Sequence, residues 1–184
     1  MTRASLLTIA FIILSRVLSA QSGFPTLLAN GPNPEYREKL ELFGQFVGSW
    51  SFEGVEYHDD GSRPTDAGEI HCRWVLQGRA VQDVFLETKR SDHESLLYGS
   101  TIRFYDPKID AWRVTFINPA ASVVRTFIGR KVGTEIVMEG ASEDGTRLHW
   151  IFSQITADSF HWRGEGQTKS GWRIYEELTA RRKR

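Results

Sequence analysis

With Cys72 its only cysteine, this 184-residue chain can form no intrachain disulfide, so its fold must stand on packing alone. It also lacks a charge excess. Lys+Arg and Asp+Glu both number 23, which removes the electrostatic reason for nucleic acid or an anionic membrane surface to bind. The basic tip "ARRKR" reads as a solvated end. Several catalytic signatures are missing: there is no Gly-x-Ser-x-Gly elbow, P-loop, dinucleotide-binding glycine fingerprint, His-Glu-x-x-His or Cys-x-x-Cys. His58, His71, His93, His149 and His161 are scattered without metal-ligand spacing, so neither a metal nor another cofactor is expected. The apolar run from Leu6 to Leu14 is about half the length a bilayer-spanning helix needs, which argues against a stable membrane anchor.

What is present begins with a leader-like segment. Arg3, the short apolar core and the small residues of "VLSAQ" read as a signal peptide over residues 1–20, cut near Ser19 or Ala20, and imply a secreted or periplasmic protein. Residues 21–33, rich in Gly, Pro and small polar groups, read as a linker, and a single domain is expected over 34–184. Asn33 and Pro34 mark a helix start, Glu35 and Glu38 suit its positive end, Leu40, Phe43 and Val47 share a face, and Gly44 is a stop.

Beyond Gly48 the pattern alternates, with turn chemistry at "HDDGSRP", "LQGRA", "KRSDHES", "YDPKID", "INPAAS", "GRKVG", "SEDGT", "ITADS" and "TKSGW". About ten strand candidates of roughly seven to twelve residues lie between these turns, as in an antiparallel meander. Such a meander can close and so remove its edges, and a barrel of this size can hold one small ligand. The expected fold is therefore all-β, an antiparallel up-and-down barrel of about ten strands behind a short helix.

The segments "GSWSFEG", "RWVLQGRAVQD", "YDPKIDAW" and "GWRIYEELTARR" resemble a bacterial domain-of-unknown-function family with a lipocalin-like (calycin) barrel, over about residues 34–182. The resemblance implies that the Trp50 indole packs at the closed end of the barrel beneath a basic residue of the last strand. Gly48, Trp50 and Arg181 are the structural residues it points to, with Arg182 the other candidate for the guanidinium. A guanidinium over an indole gains about 0.5–2 kcal/mol and ties first strand to last. Nitrobindin barrels are more distantly similar and hold haem iron through a histidine of the last strand. Here "WRIYEELTA" has none, so haem would require His149 or His161 to substitute.

Aromatic residues are abundant, with six Trp, eleven Phe and five Tyr, and aromatics line ligand cavities as well as cores. The expected cavity lining is Trp74, Phe85, Tyr98, Phe104, Trp112, Phe116, Trp150 and Trp162, with Arg125 and His149 as polar members. The partner this implies is a small, largely apolar molecule. The alternative is an isomerase, cyclase or hydrolase in the cavity, using polar groups drawn from Glu53, Arg73, Asp83, Arg125, His149, Glu165 and Glu176. An acid–base pair converging in a closed pocket favours the enzyme, and an aromatic cavity favours carriage.

Overall fold

A computed structural model describes residues 27–91 and 98–184; the expected signal peptide, residues 21–26 of the expected linker, His93 and the side chain of Tyr98 lie outside the described residues. Asn33 accepts a hydrogen bond from the Glu35 backbone N–H at 3.1 Å, and Pro34 opens a 3-10 turn, Pro34–Tyr36, that runs into helix α1, Arg37–Gly44. Leu40 and Phe43 on α1 are buried. Burying such side chains is worth about 1.5–3 kcal/mol each. The apolar face continues through Phe46 rather than the expected Val47, because the chain leaves the helix at Gly44 and the Phe46 N–H bonds to Phe43 O at 3.1 Å.

Ten strands follow: β1 Gly48–Glu56, β2 Thr65–Val75, β3 Ala80–Arg90, β4 Tyr98–Asp106, β5 Ala111–Asn118, β6 Val123–Val132, β7 Glu135–Ala141, β8 Arg147–Ser153, β9 Ser159–Thr168 and β10 Gly171–Arg182. Each pairs antiparallel with the next, and β10 pairs with β1, so the sheet is a closed barrel. The turn expected across "GRKVG" is shorter than its text suggests. Arg130 to Val132 stay in β6, paired with β7, and Gly133 makes the reversal with φ +61°.

The closing seam explains the Gly-x-Trp. Trp50 lies opposite Arg182 in the β1–β10 register, with the guanidinium carbon 4.0 Å from the ring centroid. The same guanidinium donates to three carbonyls, Val47 O at 2.9 Å, Gln45 O at 2.9 Å and Ala157 O at 2.7 Å. The indole N–H donates to Phe46 O at 2.8 Å. Gly48 has φ +143°, and a β-carbon there would stand 2.4 Å from Arg182 Nη1. Glycine is required both by the backbone and by the room the cation needs. The expectation placed on Arg181 is corrected to Arg182. Arg181 lies opposite Ser51, an outward residue, and strand alternation turns it to solvent.

Candidate functional site

Helix α1 fills one end of the barrel, and above it lies a cavity of about 260 Å³ reaching from Phe43 and Phe46 to the β5–β6 connection at Asn118, Ala121 and Val123. That volume is near the roughly 300 Å³ lower end of small-molecule sites. Cross-strand register divides its walls. Asp83, Thr101, Phe116 and Arg125 form a row through β3, β4, β5 and β6, joined by Arg103 and Asn118 on the same strands. The facing wall is aromatic on β8, β9 and β1, with Trp150, Phe152, Phe160, Trp162 and Trp50, while β10 adds Leu178 and Glu176. Trp150 and Trp162 meet edge to face at 5.5 Å, and Trp150 also packs on Phe127 at 4.3 Å and Phe116 at 5.2 Å, so the half-buried Trp162 is the more open ring for a planar molecule.

The polar wall holds a buried ion pair. Arg103 Nη1 donates to Asp83 Oδ2, while Asp83 Oδ1 accepts from the Thr101 backbone N–H at 3.2 Å. The Arg103 guanidinium also lies 5.4 Å from the Phe43 ring centre, and its Nε is buried without a hydrogen-bond partner. The pair leaves this part of the cavity polar but neutral.

A β-bulge in β10, between Ile174 and Glu176, shapes the other end. It turns two consecutive side chains inward, which regular alternation would forbid. Tyr175 packs over Gly164, where a β-carbon would meet its ring at 2.5 Å, and its hydroxyl accepts from Trp150 Nε1 at 2.5 Å. Glu176 borders the cavity and makes no hydrogen bond with the described residues. Burial first, and then the nearby Asp66 and Glu56 carboxyls, push its carboxyl up to about 8, with Arg125 partly opposing them. Glu176 is therefore chiefly the neutral acid at pH 7. Burial also raises Asp66 and Glu87 in the same region, whereas Glu56 is held below its ordinary value by Arg90, which bonds both of its oxygens at 2.6 and 2.8 Å.

Of the expected lining residues, Phe85, Phe116, Arg125, Trp150 and Trp162 border this cavity. Trp74 and Trp112 face inward but at the α1 end. There Trp74 fills the space beside Gly44, and Trp112 packs on Phe43 with ring centres 4.8 Å apart, so both build the plug beneath the cavity. Phe104 and His149 face outward, because each neighbours an inward residue, Arg103 and Trp150, and successive strand side chains alternate. His149 stacks on Trp172 with ring centres 3.6 Å apart, between Glu139 at 3.7 Å and Glu165 at 3.6 Å. Among the candidate catalytic groups, Asp83, Arg125 and Glu176 share the lumen, whereas Glu53, Arg73, His149 and Glu165 do not border it. His161 also lies outside, bonded to Glu177, so neither it nor His149 can reach the lumen as an axial ligand.

Serine, histidine and glutamate meet twice on the outer sheet: Ser49–His71–Glu69, at 3.0 and 3.0 Å, and Ser153–His161–Glu177, at 3.4 and 3.0 Å. In both, the serine and histidine are paired across neighbouring strands. Their repetition marks them as ordinary cross-strand neighbours. Strand N–H groups committed to ladder bonds cannot form the convergent donor pair that acyl transfer needs.

Cys72 also borders the cavity, 2% exposed, and burial pushes its thiol up to about 12. Iodoacetamide labelling at pH 8, followed by mass spectrometry, is expected to be about a hundredfold or more slower in the folded chain than in urea. Rapid labelling of the folded protein would mean that the cavity opens freely.

These elements define a lipocalin-like ten-stranded barrel with a plugged end and an internal cavity. No family model and no curated protein matches the sequence. Among solved structures, the S-type phycobiliprotein lyase CPES from Guillardia theta is similar with a TM-score of 0.57 and 14% identity, over 78% of this chain and 92% of that one. Rv2717c from M. tuberculosis is similar with a TM-score of 0.59 and 11% identity, over 83% of this chain and 99% of that one. At these identities the likeness is one of fold.

Proposed function

We propose that this chain is a small-molecule binding barrel, secreted or periplasmic, that carries one largely apolar molecule between α1 and the opposite mouth. The observation that carries this reading is the internal cavity of about 260 Å³ with a continuous aromatic wall. Apolar burial supplies affinity there, and a few fixed polar groups supply orientation. The leader-like first twenty residues are what support export. Support for binding over catalysis comes from the lumen, where Asp83 and Glu176 make no hydrogen bond to one another and no imidazole of the described residues borders the cavity. That the similarly shaped CPES barrel is named a phycobiliprotein lyase supports a role handling small molecules.

Native mass spectrometry of protein purified without denaturant, together with titration of the uncharged fluorophore N-phenyl-1-naphthylamine, tests this. One bound small molecule, or saturable one-to-one binding that quenches tryptophan emission, is the expected result. Absence of both would remove the proposal.

A further inference from the structure

Among the described residues, one guanidinium that borders the lumen has no ion-pair partner. Arg125 borders the cavity, and it makes no hydrogen bond or ion pair with any described residue. The other lumen charges cancel, since Arg103 is bound to Asp83. Glu176, which borders the same cavity, makes no ion pair with Arg125 and is chiefly protonated at pH 7. The remaining charged groups that act on that carboxyl are Asp66 of β2, Glu56 of β1 and Glu87 of β3. Arg90 binds both oxygens of Glu56 and lies 3.5 Å from Glu87, so its charge is already taken up.

The neighbouring polar groups are hydrogen-bond donors too. Asn118 lies opposite Val123, one inward position from Arg125, and its Oδ1 already accepts from the Ala121 N–H at 3.1 Å, which leaves its amide NH₂ to donate. Protonated Glu176 likewise offers an O–H. Arg125 is half-buried, so an anion that reaches it forms a charge-assisted pair partly shielded from water. A guanidinium fork fits a carboxylate through two parallel bonds, and an aromatic wall stands across the lumen for a flat ring.

We propose that the cavity selects an anion, a planar aromatic carboxylate whose ring lies on the Trp150–Trp162 wall and whose carboxylate is received by Arg125 and Asn118. This rests on the reading that the cavity binds a small molecule and adds the charge of that molecule.

Calorimetric titration with 2-naphthoate and its uncharged isostere 2-naphthamide at pH 7 tests it. The wild-type chain is expected to bind the carboxylate about tenfold or more tightly than the amide, as a charge-assisted pair implies. R125Q is expected to bring the ratio of the two affinities to about one, R125K to keep part of it, and E176Q to keep most of it; a thermal melt confirms that each variant is folded. Equal binding of both probes to wild type, or an R125Q variant that melts like wild type and keeps the preference, overturns the assignment of charge while leaving small-molecule binding intact. Failure of both probes to bind wild type overturns the anion assignment, and the small-molecule reading falls with it only if native mass spectrometry and N-phenyl-1-naphthylamine titration are negative too.

Discussion

Arg182→Ala is expected to lower the stability of the barrel by about 3–5 kcal/mol, read as a drop in the urea midpoint without a change in slope. The loss combines the cation–π contact with Trp50, about 0.5–2 kcal/mol, and three charge-assisted hydrogen bonds to Val47, Gln45 and Ala157. Among the described residues, no other cation lies over the Trp50 ring. Arg181 faces solvent, so Arg181→Ala is expected to shift stability by less than about 0.5 kcal/mol. Arg182→Lys retains the charge but only a single donor centre, and is expected to recover less than half of the loss. If the alanine variant unfolds at the wild-type urea concentration, the seam is held elsewhere.

The second large effect is on pH dependence. Glu176 binds its proton more tightly in the folded chain, where its pKa is about 8, than in the unfolded chain, where it has the ordinary value of 4.5. Between these limits the unfolded state carries fewer protons, so stability is full below about pH 4.5 and is lost as pH rises toward 8. A shift of that size corresponds to roughly 5 kcal/mol at its fullest. Asp66 and Glu87, also raised by burial, act in the same direction. Carboxyls held low by partners, such as Glu56 with Arg90, act only in acid, where their stabilisation is lost as pH falls through the lowered value, so the two windows separate. Glu176→Gln is expected to flatten the decline between pH 5 and 8 and to leave the variant several kcal/mol more stable than wild type at pH 8.5. Urea titrations of both chains across this range check it, and parallel pH profiles would count against a buried neutral acid.

The meander, its ten strands and the helix before it were legible because alternation and turn residues are local signals. Tryptophan and arginine at the seam were legible as a pair, but the choice between Arg181 and Arg182 depends on a register between strands far apart in sequence. The site was less visible for the same reason. Phe104 and His149 look like lining residues by type, yet their neighbours Arg103 and Trp150 take the inward positions. Trp74 and Trp112 face inward, but whether an inward aromatic borders a cavity or a plug depends on where α1 docks. Arg103 and Asn118 carry no local signal of their own. The inward phase of Val114 and Phe116 on β5, carried across the pairing, would have exposed both. Glu176 was named among the polar groups, but the bulge that turns it and Tyr175 inward together breaks the rule by which a face is read.

Because the seam joins the first strand to the tenth, β1 and β9 each have only one covered side while a ribosome is still delivering the chain, until β10 arrives between them. The assembly step is thus a long-range encounter, of the kind that slows folding and leaves sticky backbone available to other chains in the meantime. Outward Ser49, Ser51 and Glu53 lie along that waiting border, and such polar, charged dressing keeps an unfinished sheet from recruiting a stranger in place of β10.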